Sequence, residues 1–240
     1  MVEELKVTVW RGTGAAERRE TFRVPSHENQ TVLDVVSWIQ QEADPTLAYR
    51  FACRVGMCGS CAMTVGGVPR WTCRTHVRKV VRDGAVEIGP LRNLPVIKDL
   101  AVDMDPFFGK WVAAEGHHHP TATRDDPIVP VDERSPARRA ANAGIECINC
   151  AVCYAACDTV AGDEDYLGPA PLLRAWTVLN DERDGGGGAV LDAVSARGGC
   201  HSCHSMGSCT ARCPVGLDPM RAIAGLKRAT ARRALGWGGR

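Results

Sequence analysis

The chain has almost no net charge: 29 Lys and Arg stand against 28 Asp and Glu, leaving +1 over 240 residues. That balance argues against nucleic acid as a main partner, because phosphate recognition needs a basic face. No stretch reaches the ~20 apolar residues that a membrane-spanning helix requires. The opening Met1-Val2-Glu3-Glu4-Leu5-Lys6 lacks the apolar core of a secretory signal. Arg18-Arg19 likewise lacks the apolar segment that follows a twin-arginine pair. Without an export signal, twelve cysteines suggest a reducing compartment, where thiols bind metal rather than form disulfides. The remaining composition, 45% hydrophobic and 24% charged, is that of a soluble globular protein. Its length suits two modest domains.

The cysteines fall in three groups. Cys53, Cys58, Cys61 and Cys73 read C-x4-C-x2-C followed by a distant Cys, the plant-ferredoxin pattern for a [2Fe–2S] cluster. Cys147, Cys150, Cys153 and Cys157 read C-x2-C-x2-C-x3-C, and Cys200, Cys203, Cys209 and Cys213 precede Pro214. These two groups belong to the bacterial two-cluster pattern. The spacing has a physical reason. A tight loop delivers three thiolates only if its backbone bends sharply, and Gly56 and Gly59 permit the positive φ and close approach required. Zinc knuckles explain neither the x4 spacing nor these glycines.

In two-cluster ferredoxins the last Cys of each run ligates the cluster of the other run. Crossing the runs assigns Cys147, Cys150, Cys153 and Cys213 to a [4Fe–4S] centre. The other centre receives Cys157, Cys203 and Cys209, with Met206 where the repeat requires a fourth thiolate. Three thiolates suit a [3Fe–4S] cluster. Cys200 lies one C-x2-C step before Cys203 and outside the repeat; the expectation is a non-ligating thiol, the alternative a fourth ligand that swings in.

Around these groups, residues 1–105 read as an α+β module. Val7 and Val9 alternate as in a half-buried strand, and Thr21–Val24 follows a connection through Gly12 and Gly14. Val32, Val35, Val36 and Ile39 have helical spacing behind a Thr31 cap. Gly66-Gly67 between 62–65 and 68–72 predicts a hairpin, and 86–88 a further strand. A helix is expected over 97–111, with Leu100, Met104, Phe107, Phe108 and Trp111 on one side. Residues 115–136 have linker composition. His117, His118 and His119 lie there and read as surface, since three adjacent side chains cannot face one ion on a regular element. The region 106–240 reads as helical, with starts at Ser135-Pro136, after Pro171, at Ala189 and at Asp218-Pro219. Met220, Ile223, Ala224, Leu226 and Leu235 are the expected buried positions of the last helix. Seven basic residues against one acid from Cys209 onward suit a solvated helix face, with a docking or lipid-headgroup patch as the alternative.

A plant-type module followed by a helical two-cluster module with one ligand missing resembles the iron–sulfur subunit of succinate dehydrogenases and fumarate reductases. The carriers begin with Cys53-Arg54-Val55-Gly56-Met57-Cys58-Gly59-Ser60-Cys61-Ala62-Met63 and Leu94-Pro95-Val96-Ile97-Lys98-Asp99-Leu100 with Val102-Asp103-Met104. They continue through Glu146-Cys147-Ile148-Asn149-Cys150, Cys153-Tyr154-Ala155-Ala156-Cys157, Gly168-Pro169-Ala170, Asp181-Glu182-Arg183-Asp184 and Cys213-Pro214. The resemblance implies a β-grasp domain at 1–105 and an all-α ferredoxin-like domain at 106–240. It implies a role relaying electrons between the FAD of a flavoprotein subunit and membrane quinone, beside a membrane anchor. The subunit would then sit peripherally on the cytoplasmic face of the cell membrane, with no acid–base group of its own in the dicarboxylate step. His204 and Lys227 match family positions near the quinone pocket.

Two residues depart from the family pattern. Asp158 follows Cys157 where Pro is usual, and Gly162 stands where many ubiquinone-linked members have Trp; the missing Trp leans toward menaquinone. A subunit of another flavin-linked oxidoreductase, an iron or redox sensor, and a zinc scaffold are the rival readings. They differ in partner, in nucleic-acid surface and in metal content respectively.

Overall fold

The computed structural model describes residues 4–13, 16–128 and 130–237, so the Gly14 part of the first predicted connection lies outside the described residues. The chain forms two compact units, Met1–Met104 with Ile148–Ala156, and Asp105–Cys147 with Cys157–Arg240. In the first, β1 (Glu4–Thr13) and β2 (Ala16–Pro25) pair antiparallel in unbroken register from Glu4–Pro25 to Thr13–Ala16. Thr31 caps α1 (Val32–Trp38): its Oγ1 accepts from the Asp34 amide at 3.2 Å, while Asp34 accepts from the Thr31 amide at 3.0 Å. Such a reciprocal cap contributes about 1 kcal/mol. The helix then widens into a π-turn at Ile39–Ala43. β3 (Ala62–Val65) and β4 (Val68–Trp71) flank Gly66 and Gly67, whose φ of 56° and 75° fit the predicted tight hairpin. With β5 (Ala85–Gly89) the sheet order is β2-β1-β5-β3-β4. Only the central β1–β5 pair is parallel. Val7, Val9, Val35, Val36, Ile39, Met63 and Ile88 share one buried core between sheet and helix. This is the β-grasp arrangement.

The helix expected over 97–111 is two different things. β6 (Val96–Lys98) and β7 (Ala101–Val102) make a short antiparallel ribbon, and α2 (Asp105–Ala113) starts only afterwards. Asp99 supplies the reason. It turns the ribbon at φ 50° and is 1% exposed. Its Oδ1 accepts from the Gly12 amide at 2.8 Å and its Oδ2 from the Ala48 amide at 2.9 Å. Arg11, itself 2% exposed, places Nε 3.1 Å from Asp99 and Nη1 at 2.7 Å from Glu20 and 2.5 Å from Asp44. A buried charge must be paired, and this network overrides the local helical spacing. Burial alone would raise the Asp99 carboxyl; the Ala48 and Gly12 amides and the Arg11 cation outweigh it and hold it low.

The second unit is helical, opening with α2. α3 (Pro136–Ile145) begins as predicted, with Ser135 Oγ accepting from the Arg138 amide at 2.9 Å. α4 (Val152–Ala155) belongs to the first unit, where it packs on β4 and the Asn93 amide group donates to the Tyr154 carbonyl at 3.0 Å. α5 (Asp158–Gly162), α6 (Pro169–Asn180), α7 (Gly187–Ser195), α8 (Ser208–Arg212) and α9 (Pro219–Ala234) complete the second unit. α6 is its hub, touching α2, α3, α7 and α9. Two glycines permit that packing. A Cβ on Gly144 would lie 2.4 Å from Thr177 Oγ1, and one on Gly225 would lie 2.5 Å from the Trp176 ring. Buried Arg138 pairs with Asp181 at 2.8 Å and Glu182 at 2.9 Å.

Several boundaries differ from expectation. α6 starts at Pro169 rather than after Pro171, because proline fits the first helical turn. α7 starts within the glycine run, at Gly187 rather than Ala189. Leu235, expected to be buried, is 61% exposed because α9 ends at Ala234.

Candidate iron–sulfur centres

The Cys53 group sits on the loop between α1 and β3 and on the turn after β4. Arg54, Gly56 and Gly59 take φ of 59°, 79° and 71°. That backbone aims amides at one sulfur: Cys53 Sγ accepts from Met57 at 3.2 Å, Cys58 at 3.3 Å and Val55 at 3.5 Å. Such a nest of N–H groups stabilises a thiolate. Burial opposes ionisation of Cys58, but the Cys53 amide and the Ser60 hydroxyl and amide outweigh it, bringing the thiol down to about 6. Ser60 Oγ lies 3.0 Å from that sulfur. Cys61 and Cys73 occupy the opposite setting, buried against Leu33, Tyr49 and Trp71. Burial, reinforced by neighbouring Cys61, pushes Cys73 up to about 12. Two thiols meet a donor-rich wall and two an apolar one, so a cationic inorganic centre fits these four residues.

In the second group, Cys147 follows α3 and its amide donates to the Gly144 carbonyl at 3.2 Å. Asn149 and Ala151 adopt φ of 54° and 57° around Cys150, and Cys153 lies in α4. Cys213 closes α8, and its Sγ accepts from the Leu217 amide at 3.3 Å. The first two groups meet in one close contact: a Cβ on Gly59 would lie 2.7 Å from the Cys150 Cβ.

The third group is the clearest. Cys157, Cys203 and Cys209 line one recess with Tyr166, His204, Met206 and Met220. Ser205 and Gly207, at φ of 58° and 80°, curve the loop so that the Ser205 amide donates to Cys203 Sγ at 3.4 Å. Burial pushes the Cys209 thiol up. The Tyr166 hydroxyl is buried and has no hydrogen-bond partner among the described residues. Burial, then the adjacent sulfurs of Cys203, Cys157 and Cys209, pushes it far above the ordinary phenol range. An orphaned O–H beside three thiols is what a sulfide-bearing centre would satisfy. The donor set fits the group.

Met206 is 69% exposed at this rim. His204 is exposed there too. Lys227 reaches back from α9, and its Nζ donates to the Cys203 carbonyl at 2.6 Å. Cys200 does not line the recess; its buried Sγ lies 3.9 Å from Thr230 Oγ1 on α9. Sequence spacing singles out the thiols but misses Tyr166 and Ser60. Tyr166 sits nine residues beyond Cys157, and only the fold returns it to the sulfurs.

A β-grasp unit and a helical unit carrying three thiol groups define an iron–sulfur electron carrier of the ferredoxin class. Residues 5–109 match the family described as 2Fe-2S iron-sulfur cluster binding domain. Residues 146–218 match the one described as 4Fe-4S dicluster domain. The chain is 36% identical to the fumarate reductase iron-sulfur subunit of Mycobacterium tuberculosis over the full length of both. It is 35% identical to the succinate dehydrogenase iron-sulfur subunit of Paracoccus denitrificans, covering 90% of this chain and 82% of that one. Among solved structures, a chain of the Mycobacterium smegmatis Sdh1 complex in the apo form superposes with a TM-score of 0.84 at 25% identity, covering 97% of this chain and 98% of that one. The chain belongs to the iron–sulfur subunits of the succinate dehydrogenases and fumarate reductases, and its role is electron transfer. No helix among the described residues is long and apolar enough to cross a membrane.

Proposed function

We propose that this subunit joins the FAD of a flavoprotein partner to membrane quinone, and so links succinate–fumarate interconversion to the quinone pool. The ligand sets would be Cys53, Cys58, Cys61 and Cys73 for [2Fe–2S]; Cys147, Cys150, Cys153 and Cys213 for [4Fe–4S]; and Cys157, Cys203 and Cys209 for [3Fe–4S]. When bound, these clusters supply one-electron carriers between a two-electron flavin and a lipid-soluble acceptor. The functional domains would divide near residue 105, and the subunit would lie peripherally on the cytoplasmic face beside a membrane anchor.

The chain's own residues have defined tasks in this reading. The amides around Cys53 and the Ser60 hydroxyl stabilise negative charge on sulfur. Tyr166 closes the third recess and offers it a buried donor. Lys227 fixes the Cys203 carbonyl and keeps a cation close by. His204, exposed at the rim of this recess, would donate to a quinone oxygen.

The observation that carries the reading is the recess with three thiols and Met206 at the fourth register position. Paramagnetic resonance on the oxidised complex tests it. A [3Fe–4S] centre is paramagnetic when oxidised, whereas an oxidised low-potential [4Fe–4S] centre is silent. The expected result is an oxidised-state signal that Cys209→Ser damages, while the Cys53-group signal, read after reduction of the same sample, persists. Absence of any oxidised-state signal in iron-replete complex would refute the three-thiolate site.

A further inference from the structure

Outside the cysteine groups, one other cluster of ligating side chains converges among the described residues. Glu115, His117 and His119 bring a carboxylate oxygen and two imidazole nitrogens within 4.8 Å of one another. The two histidine rings are 4.2 Å apart and tilted by 51°, and His117 Nδ1 lies 3.5 Å from Glu115 Oε2. Three consecutive histidines cannot face one ion, as the sequence implies. The structure uses alternate residues instead, and turns His118 away to Asp184 at 2.9 Å.

This segment has linker composition yet is held at several points. The His119 amide donates to the Asp184 carboxylate at 2.8 Å, and that carboxylate is 1% exposed. The Gly185 amide donates to the His119 carbonyl at 2.8 Å, and the Thr121 amide to the Arg183 carbonyl at 3.0 Å. The Gly116 carbonyl accepts from Arg174 Nε at 2.7 Å. The His119 ring lies flush on Gly186, where a Cβ would sit 2.2 Å from Nδ1. That Nδ1 is buried with no hydrogen-bond partner among the described residues, so no hydrogen bond at this nitrogen fixes the ring. Glu115 itself takes φ 52° two residues beyond the end of α2, and its amide donates to the Val112 carbonyl.

We propose that Glu115, His117 and His119 bind one divalent transition-metal ion of the zinc class, with solvent completing the coordination. Two imidazoles and one carboxylate are donors for zinc, nickel or copper, whereas magnesium and calcium take oxygen sets. Ligands at ~2.0–2.1 Å from a tetrahedral ion lie roughly 3.3 Å apart, so rotations moving the donors by about 1 Å close the set. His117 is 57% exposed, leaving a route for the ion. The ion would tie the end of α2 to the 183–186 segment on which His119 rests.

The test uses the purified, iron-replete complex, dialysed against buffered zinc chloride, with zinc and iron counted per chain. The expected result is one zinc absent from the His117→Ala/His119→Ala variant, at unchanged iron content. X-ray absorption should report two imidazole ligands. His117→Ala alone and Glu115→Gln alone should each weaken binding, the histidine change by at least about tenfold. His118→Ala should keep the zinc. Equal zinc in wild type and double variant would overturn the proposal. So would equal loss on His118→Ala and His117→Ala, or zinc uptake matched by iron loss.

Discussion

Replacing Gly59 with alanine separates backbone strain from steric contact at the loop that carries Cys58 and Cys61. Gly59 has φ +71°, and an added Cβ would meet Cys150 Cβ at 2.7 Å and the Ile148 carbonyl at 2.8 Å. Gly84 has the same φ of +71°, with nothing within 4 Å of its added Cβ. Both substitutions therefore incur the left-handed penalty of roughly 1–2 kcal/mol. Only Gly59→Ala adds overpacking, typically about 1–3 kcal/mol, because the atoms in the way are backbone and a cysteine stem. The difference between the two variants corresponds to a melting-temperature gap on the order of 2–12 °C for a chain of this size. The contact also has a chemical readout. Gly59→Ala must displace Cys150, so signals from both the Cys53 and Cys147 groups should weaken, with iron content falling below that of Gly84→Ala. Thermal melts by circular dichroism and iron and acid-labile sulfide analysis of the two variants decide it. Equal melting points and equal iron would refute the reasoning.

Three more outcomes are expected. Arg11→Met leaves buried Asp99 without its cation and should destabilise the chain by about 3–5 kcal/mol, read as a lowered melting temperature; Arg23→Met, whose pair with Glu4 is solvent-exposed, should change it by less than about 1 kcal/mol. Tyr166→Phe removes the buried hydroxyl beside Cys203 and Cys157, and a lost donor disfavours the more negative reduced state. A redox titration should show a lower midpoint for the Cys157–Cys203–Cys209 centre and unchanged midpoints for the others; an unmoved midpoint would show that the hydroxyl does not reach the sulfurs. Met206→Cys restores a thiol at the empty register position, and the oxidised-state signal should diminish as a fourth iron is retained.

Much of this molecule is legible in its sequence because its strongest signals are local. The Thr31 cap, the Gly66-Gly67 hairpin and the starts at Ser135-Pro136 and Asp218-Pro219 are decided within a few residues, and the structure places each of them there. The cysteine spacings are local for the same reason, since a ligand loop must wrap one cluster. What spacing does not reveal is set by partners far along the chain. Residues 97–102 have helical periodicity, but Asp99 is drawn to Arg11, Gly12 and Ala48 and makes a ribbon. The link from Gly59 to Cys150 and the return of Tyr166 to the thiols arise only once the chain is folded. The alternate use of His117 and His119 depends on Asp184, 65 residues away from His119, holding the segment extended.

The measurement that reaches the centre of this account is a redox titration by paramagnetic resonance of the purified complex, with succinate and then dithionite as reductants. Three distinct iron–sulfur signals across the titration, the higher-potential ones responding to succinate through the flavoprotein partner and the low-potential one to dithionite, are the predicted result. Fewer than three centres in iron-replete protein, or centres that a quinol reduces and succinate leaves untouched, would contradict it.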